Sequence, residues 1–349
     1  MKSFQINNRC IGEEFPPYII AELSGNHNGQ LDKIFELIKA AKEAGADAIK
    51  IQSYTPDTMT INSNKDDFQI KKGLWKGYNL YELYKVAHTP FEWHKDIFAF
   101  AFEIGITLFS TPFDETALDL LEKLDCPAYK IASFENNDLP LIKAVAQTRK
   151  PMIISTGLAD FNEISDCVNT ARENGCENLC LLHCISGYPT PTDQSNIKTM
   201  VDIKKHFNTE IGLSDHSIDN IAAMAAISLG ASVIEKHFTI DRKEKSVDSE
   251  FSMEPSDLKH LVNTSFETWK ALGEVTYSLK KAENENKSFR RSLYFVKSLK
   301  KNEHINKSHI RRIRPGFGLK PVHFDDVIGK KVRRDIEFGE PVKWSDFDE

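Results

Sequence analysis

Residues 18–52 read YIIAELSGNHNGQLDKIFELIKAAKEAGADAIKIQ, and this stretch holds one complete unit of the fold. Tyr18-Ile19-Ile20-Ala21-Glu22 is a short apolar run with the length and β-branched content of a buried strand. A polar loop follows. From residue 33 to residue 44, Ile34, Leu37, Ile38 and Ala41 recur at helical spacing and so share one face. Gly45 stands where a left-handed helix cap favours glycine, and Ala48-Ile49-Lys50-Ile51-Gln52 starts the next strand. Strand, helix and strand in this order make a βαβ unit, whose two strands lie parallel in one sheet.

The unit repeats. Further strand-like runs occupy 106–110, 128–131, 152–155, 179–183, 210–214 and 232–236, and Gly105, Gly175 and Gly230 close helical stretches as Gly45 does. Most strand starts are about 22–31 residues apart, the length of a β-loop-α-loop unit. The second interval is longer because a polar, aromatic stretch, 57–89, is inserted. Eight such units over residues 1–279 predict an α/β chain folded as a (β/α)8 barrel, and a doubly wound sheet is the other arrangement the same pattern permits.

Past Thr276 the texture changes. Residues 280–291 (KKAENENKSFRR) form a charged linker, and from Ser292 only short strand-like pieces remain, at 293–296, 311–316 and 327–330. Residues 292–349 therefore predict a small, mostly β module, too small to bury much surface by itself. Charge divides at the same place. The 349 residues hold 45 Lys and Arg against 51 Asp and Glu, a net of −6. Residues 290–349 alone carry 15 basic and 9 acidic side chains, so the preceding 289 carry −12.

A 40% hydrophobic, 28% charged composition is that of an ordinary globular protein. Mild acidity argues against a protein held mainly by nucleic-acid phosphates. The N-terminal residues have no apolar signal-like core, and the longest apolar run, 221–231, is about half of the roughly 20 residues that span a bilayer. No nucleic-acid or membrane partner is expected, and the expected compartment is the cytoplasm. Six cysteines in this length make no disulfide framework. Cys176, Cys180, His183 and Cys184 could be taken for a zinc cluster, but 179–184 reads better as a strand whose side chains alternate between two faces.

In a barrel, chemistry gathers at the C-terminal ends of the strands. Every candidate strand here ends in polar residues. Lys50 and Lys130 interrupt apolar strands, where an unpaired charge is costly to bury. With Thr111, Ser133, Ser155, Ser186 and Ser214 they would form a cup of cations and hydroxyls suited to a phosphate and a carboxylate on one small anion. The plainer alternative is an internal ion pair of Lys50 or Lys130 with Glu22 or Asp215. His216 and His237 end the seventh and eighth strands. Adjacent strands are ~4.8 Å apart, so two imidazoles at matching height can share one metal ion and leave positions open for water and substrate. His88, His94, His206, His260, His304, His309 and His323 fall on helices or loops and read as structural, while His27 in the first loop is open to either reading.

The segments AELSGNHNG (21–29), STPFD (110–114), YKIAS (129–133), STG (155–157), YPTP (188–191), GLSDHS (212–217), EKHFT (235–239) and SMEP (252–255) resemble, in order, the sialic acid synthase family. Arg314-Pro315-Gly316 extends the resemblance into the C-terminal module. Ser24, KIQSYTPDTMT (50–60), GLWKGYNLYELY (73–84) and VDSEFSMEP (247–255) are most similar to the family's pseudaminic acid branch; the neuraminate branch usually reads closer to AEIGxNHNG at the first strand.

The resemblance implies a phosphoenolpyruvate-dependent barrel followed by a small antifreeze-like (SAF) domain, in a domain-swapped homodimer. It implies that Lys50, Thr111, Lys130, Ser133, Ser155 and Ser214 hold phosphoenolpyruvate, with Ser186 in a position that is commonly Asn in the neuraminate branch. His216 and His237 would bind a divalent ion, Mn2+ first, with Mg2+ and Co2+ as alternatives. Glu22, Gln52, Tyr188 and Asp248 would face an N-acetylated amino sugar, and Arg314 would reach its acetamido group from the other subunit. Glu22 would manage protons, beside Lys50, His216 and His237 as the catalytic set. The acceptor would be 2,4-diacetamido-2,4,6-trideoxy-β-L-altropyranose, with N-acetylneuraminate and N,N'-diacetyllegionaminate synthases as alternatives. Two rivals remain: a Schiff-base aldolase using Lys50, Lys130 or Lys236, and a non-catalytic sugar- or ice-binding protein.

Overall fold

The N-terminal element is a hairpin that lies outside the strand-helix repeat. Phe4–Ile6 (β1) and Arg9–Ile11 (β2) pair as an antiparallel hairpin, turning at Asn7 with φ +50°. Phe4, Ile6 and Ile11 are buried in the same apolar core as the rest of the N-terminal unit. The alternation Phe4, Ile6 before Asn7-Asn8 is the signal that could have found it. The structure is a computed structural model that describes residues 3–348.

Eight strands follow: β3 (Tyr18–Glu22), β4 (Ala48–Ser53), β5 (Thr107–Pro112), β6 (Tyr129–Ile131), β7 (Met152–Ser155), β8 (Leu179–Cys184), β9 (Glu210–Asp215) and β10 (Val233–His237). Each pairs in parallel with the next, and β10 pairs with β3, which closes the barrel and excludes the doubly wound sheet. Helices packed outside explain why these strands are buried on both faces and read as continuous apolar runs. The helix Leu31–Ala44 buries Ile34, Leu37, Ile38 and Ala41, and ends at Gly45 (φ +97°), whose N–H reaches the carbonyls of Ala41 and Lys42. Asp114 of the STPFD segment caps the helix Glu115–Lys123, accepting from the N–H groups of Thr116 and Ala117.

Strand period decides which polar residues face inward. On β4, Lys50 and Gln52 line the barrel mouth while Ile49 and Ile51 turn to the helices; on β10, Glu235 and His237 face in. Lys236 points the other way and is locked 2.8 Å from Asp215, donating also to the carbonyls of Ser217 (2.7 Å) and Asp219 (2.8 Å). Register brings polar ends to one height: Glu22 lies opposite both Lys50 and His237, Gln52 opposite Thr111, and Ser214 opposite Glu235.

The chain divides into two compact units after Gly273. The second contains the antiparallel pair β11 (Ser292–Phe295) and β12 (Ile310–Ile313) around a core that includes Leu293, Phe295, Ile310, Val332 and Val342. Residues 281–289, read as linker, form two short 3-10 turns. Residues 327–330 are not a strand: Val327 ends a short helix (Phe324–Val327) and Gly329 turns the chain with φ +84°. Val327 is apolar because it anchors that turn in the small core, not because it belongs to a sheet. All six cysteines are unpaired, five of them buried. Among the described residues no helix is long and apolar enough to cross a membrane.

Candidate active site

The strand ends open into one cavity of about 390 Å3. Lys50, Gln52, Lys130, Ser133, Ser155, Tyr188, Ser214, His216, His237 and Asp248 all line it. Thr111 and Glu22 stand behind Lys50, at 3.3 and 2.7 Å from its Nζ. Ser186 sits beside Gly157, and Arg314 is exposed in the second unit.

The ion-pair alternative describes part of what is found. Lys50 pairs with Glu22, as the plainer reading allowed, but it also lies 3.4 Å from Glu235 Oε1. Glu235 Oε1 is 3.7 Å from Lys130 as well, and Lys130 donates to Ser155 Oγ at 2.6 Å. Glu235 was not singled out from the sequence, because Glu235-Lys236-His237 offers three polar residues in a row. Its place two residues before His237, on the same strand face, is the signal. Burial is the largest influence on each of these groups and opposes charge. For Lys50, Glu22 and Glu235 together outweigh it and hold the amine above its ordinary value. Lys130 is less compensated, and its amine is pushed down. Glu235 stays below the usual carboxyl range because Lys130 and Lys50 overcome its burial. Glu22 is pushed up by burial, with Lys50 pulling against it.

Gly157 shapes the hydroxyl side of the cup. Its N–H donates to Ser133 Oγ at 3.1 Å, and a Cβ there would lie 2.4 Å from Ser186 Oγ and 2.6 Å from Ser133 Oγ. Ser186 Oγ is buried with no hydrogen-bond partner. Lys130, Ser133, Ser155 and this unpartnered hydroxyl thus form a cradle of donors beside a residue with no side chain to fill it.

Across the mouth, the His216 and His237 rings are 5.4 Å apart. His216 Nδ1 is 2.9 Å from the Ile185 carbonyl, so as a donor it leaves Nε2 as a bare lone pair. His237 Nδ1 is buried without a partner, and burial with the neighbouring cations holds the ring well below its ordinary pKa, hence neutral. Burial opposes charge on His216 as well, but Cys184 beside it outweighs burial and raises that ring. With its proton lost, the pair offers two unused ring nitrogens that suit a divalent ion. Among the described residues no third His, Cys, Asp or Glu joins them in a cluster. Tyr188 packs on His216 at 4.4 Å, and Phe251 on His237 at 4.8 Å, which fixes the ring planes.

A second polar cluster, of Ser24, Gln52, Glu22 and Asp248, is compact. Ser24 Oγ donates to Asp248, and Gln52 donates to Glu22 Oε1 and Ser24 Oγ at 3.0 Å each. Burial raises Asp248, and it pushes Glu135, another lining carboxyl not foreseen from the sequence, up to about 7. The inserted stretch 57–89 contributes Met59, Ile70, Trp75, Leu80, Leu83 and Tyr84 to the wall, positions that periodicity alone did not assign. His94, buried in a helix, donates to or accepts from Ser53 Oγ at 2.6 Å and plays no part in the cavity; His27 is buried, 5.8 Å from Trp93.

A family model described as the NeuB family matches residues 37–277, and one described as the SAF domain matches residues 290–348. A pseudaminic acid synthase of Campylobacter jejuni is 46% identical over 330 residues, 95% of this chain and 96% of the relative. The pseudaminic acid synthase of Helicobacter pylori is 40% identical over 334 residues, 95% of this chain and 98% of the relative. A crystal structure of N-acetylneuraminic acid (sialic acid) synthetase from Leptospira borgpetersenii, in complex with citrate, aligns with a TM-score of 0.73 at 30% identity, covering 82% of this chain and 95% of that one.

Proposed function

The chain belongs to the NeuB family, and we propose that it has pseudaminic acid synthase activity. It condenses phosphoenolpyruvate with 2,4-diacetamido-2,4,6-trideoxy-β-L-altropyranose and water, giving pseudaminic acid and phosphate. The observation that carries this reading is a single cavity in which a lysine-hydroxyl cradle faces two unused imidazole nitrogens.

Lys50, Lys130, Ser133, Ser155, Ser186 and Ser214 bind the phosphate and carboxylate of phosphoenolpyruvate, with Thr111 steadying Lys50. His216 and His237 hold a divalent ion, Mn2+ before Mg2+ or Co2+, which when bound supplies Lewis-acid polarisation of the acceptor's aldehyde. Glu22, Gln52, Tyr188 and Asp248 orient the open-chain sugar. C3 of phosphoenolpyruvate bonds to the aldehyde carbon, water adds at C2, and phosphate leaves with cleavage of the C2–O bond. Lys50 and Lys130 hold the phosphate through bond formation and departure. Glu22 handles the protons: its Oε2 touches Lys50, its Oε1 accepts from Gln52, and desolvation keeps its proton affinity high. Arg314, exposed in the second unit, is assigned to the acetamido group bound by the other copy of a homodimer.

The rival Schiff-base reading rests on Lys130, whose lowered pKa suits an amine nucleophile. Lys236 is unavailable, held by Asp215 and two carbonyls. Phosphate release that is lost in EDTA and restored by Mn2+, with no adduct trapped by borohydride, supports the synthase; a trapped adduct supports the aldolase.

A further inference from the structure

The insertion between β4 and β5 sorts its residues sharply. Between residues 56 and 89 there are nine Asp, Glu and Lys side chains, and none of them lines the cavity. Every lining residue from this stretch is apolar or aromatic, from Met59 through Ala87. Trp75 belongs with them despite its indole N–H, because that donor is spent on the Val247 carbonyl at 2.9 Å. The ring also packs at a tilt against Tyr188, 5.6 Å away, which in turn packs on His216, so aromatic contacts run from the wall to the imidazole pair. The cavity therefore has a polar floor of lysines and hydroxyls and, along Met59, Ile70, Trp75, Leu80 and Leu83, a face with no free polar group to offer a hydroxyl; Tyr84 is the one hydroxyl that the inserted stretch adds to the lining.

Resting on the synthase reading above, we propose that Met59, Ile70, Trp75, Leu80 and Leu83 determine specificity by receiving the C6 methyl of a 6-deoxy acceptor. The aldehyde end of the sugar must lie at the floor, where phosphoenolpyruvate is held. The opposite end of an open six-carbon chain then meets the wall. A methyl there leaves the water for an apolar surface, whereas a C6 hydroxyl loses its water without gaining a partner. Such a wall discriminates against an added hydroxyl by about 10–100-fold, not absolutely.

The test compares phosphate release from phosphoenolpyruvate with the 6-deoxy diacetamido acceptor and with its analogue hydroxylated at C6. The native chain should favour the 6-deoxy sugar in kcat/KM by about 10–100-fold. Leu80→Gln and Met59→Gln, both at half-buried positions that tolerate a polar side chain, should each cut that ratio several-fold while KM for phosphoenolpyruvate stays put. Equal kcat/KM for the two sugars in the native chain overturns the proposal, as does a ratio that neither variant changes. Turnover of neither sugar overturns the synthase reading first, and this inference with it.

Discussion

Lys50 Nζ lies 2.7 Å from Glu22 Oε2, with both side chains almost wholly buried at register-paired positions of β3 and β4. An ion pair at that depth is held in place by what its loss would leave behind. Removing one partner strands a buried charge, at a typical cost of about 3–5 kcal/mol. Glu235 remains near Lys50, so Glu22→Gln should lower unfolding free energy by about 2–3 kcal/mol in urea titration. If Glu22 also handles protons, kcat should fall by about 10²-fold or more. Native stability and native kcat together would remove Glu22 from both roles.

Gly157→Ala places a methyl against Ser133 Oγ and Ser186 Oγ, at separations that no side chain tolerates without a shift. The hydroxyls must move off the cradle. KM for phosphoenolpyruvate should rise by about 10-fold or more, with about 1–3 kcal/mol of stability lost to overpacking. Steady-state kinetics at saturating acceptor reads the first effect and thermal unfolding the second.

The Glu135 carboxyl, pushed by burial from 4.5 to about 7, predicts a pH dependence of stability. A raised folded-state pKa means that the neutral form suits the fold. Its contribution is complete below pH 4.5 and is lost as pH rises through about 7. Between pH 5 and pH 8 the native protein should lose about 2–3 kcal/mol relative to Glu135→Gln. Parallel urea titrations at the two pH values measure the difference, and an equal change of unfolding free energy with pH in the two proteins would show that Glu135 is not desolvated.

His237→Ala should abolish turnover while the far-ultraviolet circular dichroism stays native, because β10 is held by its neighbours β3 and β9 and not by the imidazole. EDTA treatment of the native chain should have the same effect and Mn2+ should reverse it. Full activity in the variant would defeat the metal assignment.

The sequence made the barrel legible because parallel strands buried on both faces are short apolar runs, and glycine ends the helices between them. β3 and β7 fall at their expected residues, and the other barrel strands within two. Lys50, Lys130, Ser155, Ser214, His216 and His237 could be read as one site because each ends a strand, and a closed barrel gathers strand ends. Glu235 was hidden by its charged neighbour, whose opposite orientation only the register reveals. Glu135 and the wall from Met59 to Ala87 come from loops and an insertion, where no period constrains which side chain turns inward. In the second unit, pieces as short as 327–330 carry too few residues for a period to separate a strand from an anchored turn.

The acceptor of this synthase is identified by supplying phosphoenolpyruvate and Mn2+ with three sugars in turn: the 2,4-diacetamido-2,4,6-trideoxyaltrose, N-acetylmannosamine and the legionaminic-type diacetamido sugar. Phosphate release and product mass are followed together. Rapid, stoichiometric formation of phosphate and pseudaminic acid from the first sugar, with the other two much slower, is the result predicted. Preferred turnover of either other sugar, or phosphate release that needs no acceptor, would contradict it.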